Sequence, residues 1–590
     1  MKPDLALQSR NKVMGWGSDV AAEMLRRLGI KYVCVNPGSS FRGLHDSLVN
    51  YLGNDDPKLM LALHEQSVVA IAHGYAKVTG KPMAVVVHSN VGLMCGLMSV
   101  FNAWCDRVPI LMLGATGAVD SAVRRSWIDW SHTFRDQGAL VRHYVKWDEQ
   151  PASPQAAVDS ILRAYQAACT APYGPSYVIL DRRLQEDALT KEIVIPDVAR
   201  YAPPLPGAPS DAAVIQAAAW LHSARNPAIM LGRVSTKSAD WEARIRMAEL
   251  LNARVITDMR SGASFPTAHP LHGGPHDLFL SPNDKDILAK SDVVLSLDWP
   301  DLQDCMIQAR GPAVSGVKII QVSADAQRQN GYNGDHQRLA AVDLNIAVPP
   351  DAILAPLIAK LEGVHRRQAK PSPKLTAPPA PKPELTDQLP TLTDIGRAFA
   401  YLRNGRKLTL TRVPLNWPAG ACQLYEPLDY LGYDGGGGVG SGPGMAVGAA
   451  LALQDGGSDR IAVGIMGDGE FLGSASALWT AAHYQIPVLI VVGNNRSYFT
   501  DEIQQEMVAK ERKRPPENRW IGQRIDDPPV DLAGLARDYG VAAEGPIEKA
   551  SDLLAALERG IQAVESGEPY LVDVLIEPTR GAAFDWLSGA

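Results

Sequence analysis

The chain has 590 residues and a formal net charge of −7. This length is too great for one hydrophobic core and predicts about three domains of ordinary size. The acidic balance argues against nucleic acid or an anionic membrane as a partner, and no apolar run reaches the roughly 18 residues that cross a bilayer. Six scattered cysteines without a C-x-x-C pair suit a reducing compartment, so we expect a soluble cytoplasmic protein.

The first 195 residues alternate apolar strands with amphipathic helices. Ser18 is typical of the N-cap of a helix that ends at Gly29. Strand-like runs follow, in chain order YVCVN, LMLAL, MAVVV and VPILMLG. Uninterrupted apolar strands that alternate with helices predict a parallel sheet covered on both faces.

The same pattern returns twice along the chain. Residues 196–368 contain the strand-like runs PAIMLG, RVITDM, DVVLSL and VKIIQV, and residues 391–590 contain RIAVGIM, PVLIVVG and PYLVDVLIE. Seven prolines between residues 371 and 390 exclude a regular helix or ladder, so residues 369–390 are predicted to be an extended linker. The fold class is therefore α/β, with three doubly wound parallel-sheet domains.

Two polar turns follow neighbouring strands of the third domain. Gly467-Asp468-Gly469 comes directly after RIAVGIM, and Asn494-Asn495 ends PVLIVVG after 24 intervening residues. Open α/β sheets bind ligands at the carboxyl edge where these turns would meet. Carboxylate and amide oxygens suit Mg²⁺, and Gly467 and Gly469 allow a phosphate group to approach the backbone. Each turn alone is common in loops, but their combination favours a site.

The segment GDGEFLGSASALWTAAHYQIPVLIVVGNN resembles the G-D-G…N-N motif of the thiamine-diphosphate enzymes of the pyruvate decarboxylase, acetolactate synthase and benzoylformate decarboxylase group. The resemblance implies that Mg²⁺ is held by the Asp468 and Asn495 side chains and by the carbonyl of Ser497, and that Asn494 shapes the same turn. In GGGGVGSGPG, Val439 matches the bulky apolar residue that supports the bent cofactor. The implied fold has a pyrimidine-binding, a middle and a diphosphate-binding domain.

The same family uses a carboxylate of the first domain to exchange a proton with the aminopyrimidine of the cofactor. In LALHEQSVVAIAHGYAKVTGKP, Glu65 stands after a strand and before a helix, as that carboxylate does. The resemblance thus implies general acid–base work for Glu65. The alternative is an ordinary glutamate that is favoured near a helix N-terminus by the macrodipole.

Two further residues indicate a branch of the family. Ser39 lies in the turn after YVCV, and His88 ends MAVVV. They look like the serine and histidine with which benzoylformate decarboxylase binds the substrate carboxylate and transfers protons. The alternatives are a serine that merely forms a turn and a strand-end histidine with a structural hydrogen bond.

Other features point to other branches. The segment 496–529 looks like the substrate-capping loop of acetolactate synthase, although Gln504 stands near the place of the synthase tryptophan. Glu502 is either a second acid/base or, as we expect for an isolated acidic residue, an exposed loop charge. The basic run at 510–514 is typical of a solvated face, or it could bind an anionic handle such as coenzyme A.

The middle domain contains FPTAHPLHGG, a pattern found in this family with and without FAD. No G-x-G-x-x-G follows its first strand, so FAD binding is left open but unsupported. The loop histidines His269 and His272 flank Pro270, which argues against a metal site there.

The resemblance implies a lyase or carboligase that depends on thiamine diphosphate and Mg²⁺ and acts next to a carbonyl. The leading prediction is a 2-oxo acid decarboxylase or carboligase resembling benzoylformate decarboxylase. The alternatives are an acetolactate synthase-type transferase, a 2-hydroxyacyl-CoA lyase and a scaffold subunit without cofactor. The substrate is a small 2-oxo acid or 2-hydroxyacyl compound, and the assembly is a homodimer or homotetramer with sites between subunits.

Overall fold

A computed structural model describes residues 4–7, 13–275, 277, 279–325, 338–364, 377–418 and 420–578. Its strands form three parallel sheets, one in each third of the chain, as the alternating pattern predicts. The linker residues 365–376 lie outside the described residues, and residues 377–391 contain neither helix nor strand. The domain boundaries at residues 195, 368 and 390 stay predictions.

The first sheet has the strand order β2-β1-β3-β4-β6-β5. Strands β1, β3, β4 and β6 are buried along their whole length, as expected of a sheet covered by helices on both faces. The strands are β1 Tyr32–Val35, β2 Lys58–Leu61, β3 Ala84–Val87, β4 Ile110–Thr116, β5 Asp148–Glu149 and β6 Pro175–Asp181. The helices are α1 Gly17–Arg27, α2 Arg42–Asp46, α3 Glu65–Thr79, α4 Ser89–Cys105, α5 Pro154–Ala168 and α6 Arg182–Glu186.

The second sheet has the order β11-β10-β9-β7-β8. Its strands are β7 Pro227–Leu231, β8 Arg254–Thr257, β9 Val293–Leu297, β10 Lys318–Val322 and β11 Leu344–Ile346. The accompanying helices are α7 Asp211–Ser223, α8 Ser238–Leu251, α9 Pro282–Lys290, α10 Leu302–Arg310 and α11 Leu354–Val364.

The third sheet has the order β12-β13-β14-β16-β15. Its strands are β12 Lys407–Arg412, β13 Arg460–Gly467, β14 Val488–Asn494, β15 Ala542–Ile547 and β16 Tyr570–Leu575. The helices are α12 Leu392–Leu402, α13 Gly442–Asp455, α14 Asp468–Gly473, α15 Ala477–Tyr484, α16 Phe499–Glu511, α17 Leu532–Asp538 and α18 Ala550–Glu565.

The start of α1 differs from the prediction by two residues. Trp16 is the N-cap, and Ser18 is a buried residue of the first turn. The hydroxyl of Ser47 donates to Ser18 Oγ at 2.8 Å and to Asp19 Oδ1 at 2.7 Å. Ser18 was therefore wrongly predicted as the cap, because a tertiary contact rather than a helix end uses its hydroxyl.

Helices α3 and α13 cross in close contact and bring the first domain against the third. A Cβ atom on Gly74 would lie 2.0 Å from the carbonyl oxygen of Met445, and one on Gly448 would lie 1.9 Å from that of Ile71. Only glycine permits such an approach of two helix backbones. One buried apolar cluster therefore runs through both domains. None of the helices that the structure describes has the length and apolar character to span a membrane.

Candidate active site

The two polar turns of the third domain meet at the carboxyl edge of its sheet. Strands β13 and β14 pair in parallel up to Gly467 and Gly493, so Asp468 and Asn494 follow at the same level. The amide N–H of Ser497 donates to Asp468 Oδ2 at 3.2 Å and to Asn495 Oδ1 at 3.0 Å. The carboxylate of Asp468 and the amide oxygen of Asn495 thus converge on one point of the backbone.

The Asp468 carboxylate is buried and accepts hydrogen bonds from backbone amides. Gly469 N–H donates to its Oδ1 at 2.8 Å, and the ion pairs among the described residues include none with Asp468. Burial raises the pKa of Asp468 to about 6. A buried carboxylate without a cationic partner, next to further oxygen atoms, fits the donor set that a hard divalent cation requires.

The neighbouring residues shape this edge in different ways. Asn494 Oδ1 accepts from Arg496 N–H at 3.1 Å, and its side-chain amide donates to Asp573 at 3.4 Å, so Asn494 fixes the turn from inside. A Cβ on Gly469 would lie 2.5 Å from the ring of Tyr498, whereas one on Gly467 would meet nothing within 4 Å. Gly469 is therefore required by packing, while the space beside Gly467 is open to a ligand.

Glu65 opens helix α3 at the carboxyl edge of the first sheet. The preceding residue, His64, is the N-cap, and its Nδ1 accepts from Gln66 N–H at 3.1 Å. The Glu65 side chain is buried against α4, with its Oε1 where a Cβ on Gly92 would lie 2.6 Å away. Potential ligand atoms of His64, Glu65 and Cys95 lie within 4.8 Å of one another.

The glycine-rich loop reaches the first turn of α3 within one chain. Gln66 donates through its side-chain amide to the carbonyl oxygen of Val439 at 3.3 Å. The side chain of Val439 is 54% exposed. The structure thus places the residue after Glu65 beside the loop, and it leaves the Val439 side chain free to contact a ligand.

His88 bonds to Ser40, a residue that the sequence did not single out. Ser40 Oγ lies 2.7 Å from His88 Nδ1, while Ser39 is exposed at the start of a short 3₁₀ turn. The ring of His132 packs edge-to-face on His88 with 4.7 Å between the centroids. Burial, and then the proximity of His132, lower the pKa of His88.

The start of α4 also holds His132 in place. Ser89 donates through its hydroxyl to the carbonyl oxygen of His132, and Asn90 donates to that of Ser131 at 3.2 Å. His132 Nδ1 is buried and has no hydrogen-bond partner among the described residues. Neither Ser40 nor His132 was predicted as a site residue, because nothing in their local sequence pattern distinguishes them from other polar loop residues.

Glu502 is buried, which contradicts the expectation of an exposed loop charge. Its Oε1 accepts from Ser497 Oγ at 2.5 Å and from Arg524 Nε at 3.2 Å, and its Oε2 lies 3.3 Å from Arg519 Nε. The ion pairs with Arg519 and Arg524 compensate for the cost of burying the Glu502 carboxylate. The hydrogen bond between Glu502 and Ser497 connects this loop to the turn at Ser497. Residues 510–514 are all exposed, as predicted for a solvated face.

The crevice of the middle domain at which FAD would bind is bordered by close contacts. The crevice between β7 and β9 is where an open sheet of this order binds nucleotides. A Cβ on Gly232 would lie 2.0 Å from the carbonyl oxygen of Asp298, and Arg233 is ion-paired to the Asp298 side chain at 2.9 Å. Among the described residues, these contacts lie across the crevice between β7 and β9. His269 and His272 bond to different partners, Glu249 and Thr257.

The structure has three parallel α/β domains. The buried carboxylate of Glu65 lies at one sheet edge, and the oxygen atoms of Asp468 and Asn495 lie at another. This arrangement is typical of a multidomain enzyme whose ligand binds at the carboxyl ends of parallel strands. Family models agree along most of the chain. The N-terminal TPP binding domain of the thiamine pyrophosphate enzymes matches residues 15–140, their central domain matches residues 214–342, and their C-terminal TPP binding domain matches residues 415–574.

The chain resembles whole proteins as well. It is 28% identical over 576 residues to a benzoylformate decarboxylase of Pseudomonas aeruginosa, covering 94% of this chain and 98% of that protein. It is 25% identical over 500 residues to the acetolactate synthase isozyme 1 large subunit of Escherichia coli, with 83% and 84% covered. A thiamine diphosphate-dependent 4-hydroxybenzoylformate decarboxylase of Rhodococcus jostii shares the fold with a TM-score of 0.74 and 23% identity, over 96% of this chain and 100% of that one. The chain belongs to the thiamine pyrophosphate enzyme family.

Proposed function

We propose that the protein is a thiamine-diphosphate- and Mg²⁺-dependent 2-oxo acid decarboxylase or carboligase. The observation that carries the proposal is the convergence of Asp468 and Asn495 at one sheet edge, where the buried Asp468 carboxylate forms no ion pair with a side chain among the described residues. The side chains of these two residues and the carbonyl of Ser497 would hold Mg²⁺. Gly467, Gly469 and Asn494 would border the diphosphate, and Val439 would support the bent cofactor.

Bound thiamine diphosphate supplies an electron sink next to the substrate carbonyl, which allows the neighbouring carbon–carbon bond to break. The protein has to hold and move protons around that chemistry. Glu65 is proposed to exchange a proton with the aminopyrimidine nitrogen as a general acid–base. The absence of a side chain on Gly92 leaves the space that this carboxylate occupies.

His88 and Ser39 are proposed to act on the substrate. The exposed hydroxyl of Ser39 is available to donate to a substrate carboxylate. Decarboxylation of R–CO–COO⁻ to R–CHO and CO₂ consumes one proton, which must reach the carbon that loses CO₂. His88 is suited to supply it, because Ser40 and the ring of His132 hold its imidazole in a fixed orientation.

These contacts of His88 favour a decarboxylase, whose last step adds a proton to the carbon that has lost CO₂. A synthase adds a second carbonyl compound to that carbon instead and has less need of a positioned proton donor there. An acetolactate synthase-type transferase stays the second candidate, since the segment 496–529 folds over the turn at Ser497 through Glu502. A 2-hydroxyacyl-CoA lyase stays the third.

Product analysis separates the candidates. The holoenzyme is incubated with pyruvate, benzoylformate and a 2-hydroxyacyl-CoA, and the products are identified by mass. We expect an aldehyde and CO₂ from a 2-oxo acid. Acetolactate from pyruvate would support the transferase. Cleavage of the 2-hydroxyacyl-CoA to an aldehyde and formyl-CoA would support the lyase. No conversion of any 2-oxo acid would contradict the proposal.

We also propose a homodimer or homotetramer with sites between subunits. Several large apolar side chains are exposed close to the proposed site residues, and groups of exposed apolar side chains are typical of interaction surfaces. Leu63, Val91 and Met94 are close in sequence to Glu65 and His88, and Trp127 and Trp130 precede His132. Val439 lies beside Gln66, and Tyr498 lies beside Gly469. A second copy of the chain would cover them in an isologous arrangement.

A further inference from the structure

Tyr433 is a junction at which all three domains meet, just before the glycine-rich loop. Its backbone N–H donates to the carbonyl oxygen of Arg260 in the middle domain at 3.2 Å. Its own carbonyl oxygen accepts from Lys77 Nζ, near the end of α3, at 2.6 Å. Its ring lies under the guanidinium of Arg412 at 4.2 Å, and its hydroxyl accepts from Arg412 Nη2 at 3.1 Å. A shift of Tyr433 would therefore also move the glycine-rich loop that follows it in the sequence.

Arg412 connects this junction to the G-D-G turn. It ends strand β12, and its side chain is 3% exposed. Nη1 lies 2.6 Å from the carboxylate of Asp434, beside Tyr433, and Nη2 lies 3.1 Å from that of Glu470. Glu470 follows Gly469 directly in the sequence. One guanidinium thus holds the two segments that border the proposed cofactor site.

The second carboxylate oxygen of Glu470 connects Arg412 to the start of helix α13. This oxygen, Oε1, accepts from the backbone N–H of Gly442 at 2.6 Å, at the first residue of α13. The N-cap residue Ser441 provides no such hydrogen bond, so Glu470 takes the role of the missing cap. The glycine-rich loop is consequently fixed at both ends, by Asp434 before it and by Gly442 after it, and both contacts lead to Arg412.

We propose that Arg412 is a positioning residue for the cofactor. It fastens the glycine-rich loop with Val439 to the G-D-G turn, so that both are in place before thiamine diphosphate and Mg²⁺ bind. Lysine cannot substitute for it, because the planar guanidinium alone can bridge two carboxylates and stack on a ring at once. The inference rests on the proposed function, since it concerns the affinity for that cofactor.

Arg460 is a matched control in the same sheet. Its side chain is also buried, at 6% exposure, and is ion-paired with Asp429 at 3.0 Å and with Glu426. It stands at the amino end of β13, whereas Arg412 stands at the carboxyl end of the neighbouring β12. A loss of stability alone would affect both variants, but a positioning role affects only Arg412.

The test measures cofactor affinity separately from turnover. Apo protein is titrated with thiamine diphosphate at a fixed excess of Mg²⁺ by calorimetry, and the unfolding temperature of each apo protein is recorded. We expect Arg412→Lys to weaken the affinity by about tenfold, the effect of losing one charged hydrogen bond. Its kcat at saturating cofactor should stay close to that of the wild type, and Arg460→Lys should bind like the wild type.

A folded Arg412→Lys variant with wild-type affinity would overturn the inference, as would an equal loss of affinity in Arg460→Lys. If Arg412→Lys fails to fold, Tyr433→Phe removes only the hydroxyl that accepts from Arg412 and keeps the ring beneath it. That variant should bind the cofactor about threefold more weakly, and unchanged affinity would overturn the inference. Wild-type protein that binds no thiamine diphosphate would contradict the proposed function instead.

Discussion

The carboxylate of Glu65 lies directly against Gly92 of the neighbouring helix. A Cβ atom on Gly92 would be 2.6 Å from Glu65 Oε1, which is closer than a Cβ carbon approaches another heavy atom. Gly96, one turn further along α4, has only ordinary contacts, the nearest at 3.4 Å from the Glu65 carbonyl oxygen. Gly92 therefore reserves the space that the Glu65 side chain occupies.

We predict that Gly92→Ala displaces the Glu65 carboxylate and behaves like Glu65→Gln. Both variants should bind the cofactor and lose roughly 10²–10⁴ in turnover, the usual contribution of a positioned acid–base. The helix itself should not suffer, because alanine is a better helix former than glycine. Proton exchange at the thiazolium carbon, measured by NMR after acid quench, reports this step, and Gly96→Ala is the control. Wild-type exchange in Gly92→Ala and Glu65→Gln would show that Glu65 is structural only.

The pH dependence of kcat/KM tests the role of His88. Burial first and the neighbouring His132 second lower the pKa of His88, so its limb of the profile should lie below the ordinary histidine value of about 6.5. His132→Gln removes the second-largest of the three effects that lower this pKa, the third being the nearby Arg125. We predict that the limb moves to higher pH in that variant and disappears in His88→Ala. A limb that stays in place in both variants would assign it to another group.

Ser39 and Ser40 are adjacent, but their alanine variants should change different kinetic parameters. Ser39 is exposed, and Ser40 is buried against His88. Ser39→Ala should mainly raise KM for a carboxylate substrate, because it removes a donor to that group. Ser40→Ala should mainly lower kcat, because the imidazole of His88 loses its orientation. Steady-state kinetics with one 2-oxo acid separates the two effects, and wild-type values in both variants would reduce the serines to turn residues.

Subunit mixing tests the shared site. Glu65→Gln and Asp468→Ala are combined under conditions that exchange subunits, which mass spectrometry verifies. Half of randomly paired dimers are mixed, and each has one undamaged site if sites lie between subunits. Activity should then recover to about a quarter of the wild-type value. Persistent inactivity would place the site within one chain, where the contact between Gln66 and Val439 already joins the two domains.

The sequence predicted those parts of the molecule that local pattern determines. The three parallel sheets followed from runs of apolar residues, and the meeting of Asp468 with Asn495 followed from their positions after two neighbouring strands. Contacts between segments that lie far apart in the chain could not be predicted from local sequence patterns. Ser40 rather than Ser39 faces His88 because a 3₁₀ turn sets the direction of each hydroxyl. Glu502 is buried because Arg519 and Arg524 return to it from later in the loop.

The central claim is that activity depends on thiamine diphosphate and Mg²⁺ held at Asp468. The most direct measurement is turnover of a 2-oxo acid after exhaustive chelation and dialysis, followed by stepwise addition of both components. We predict no turnover in the stripped protein, recovery only when both are present, and no recovery in Asp468→Ala, because that variant lacks the buried carboxylate for the cation. Full turnover by protein verified to be free of metal and cofactor would contradict the account.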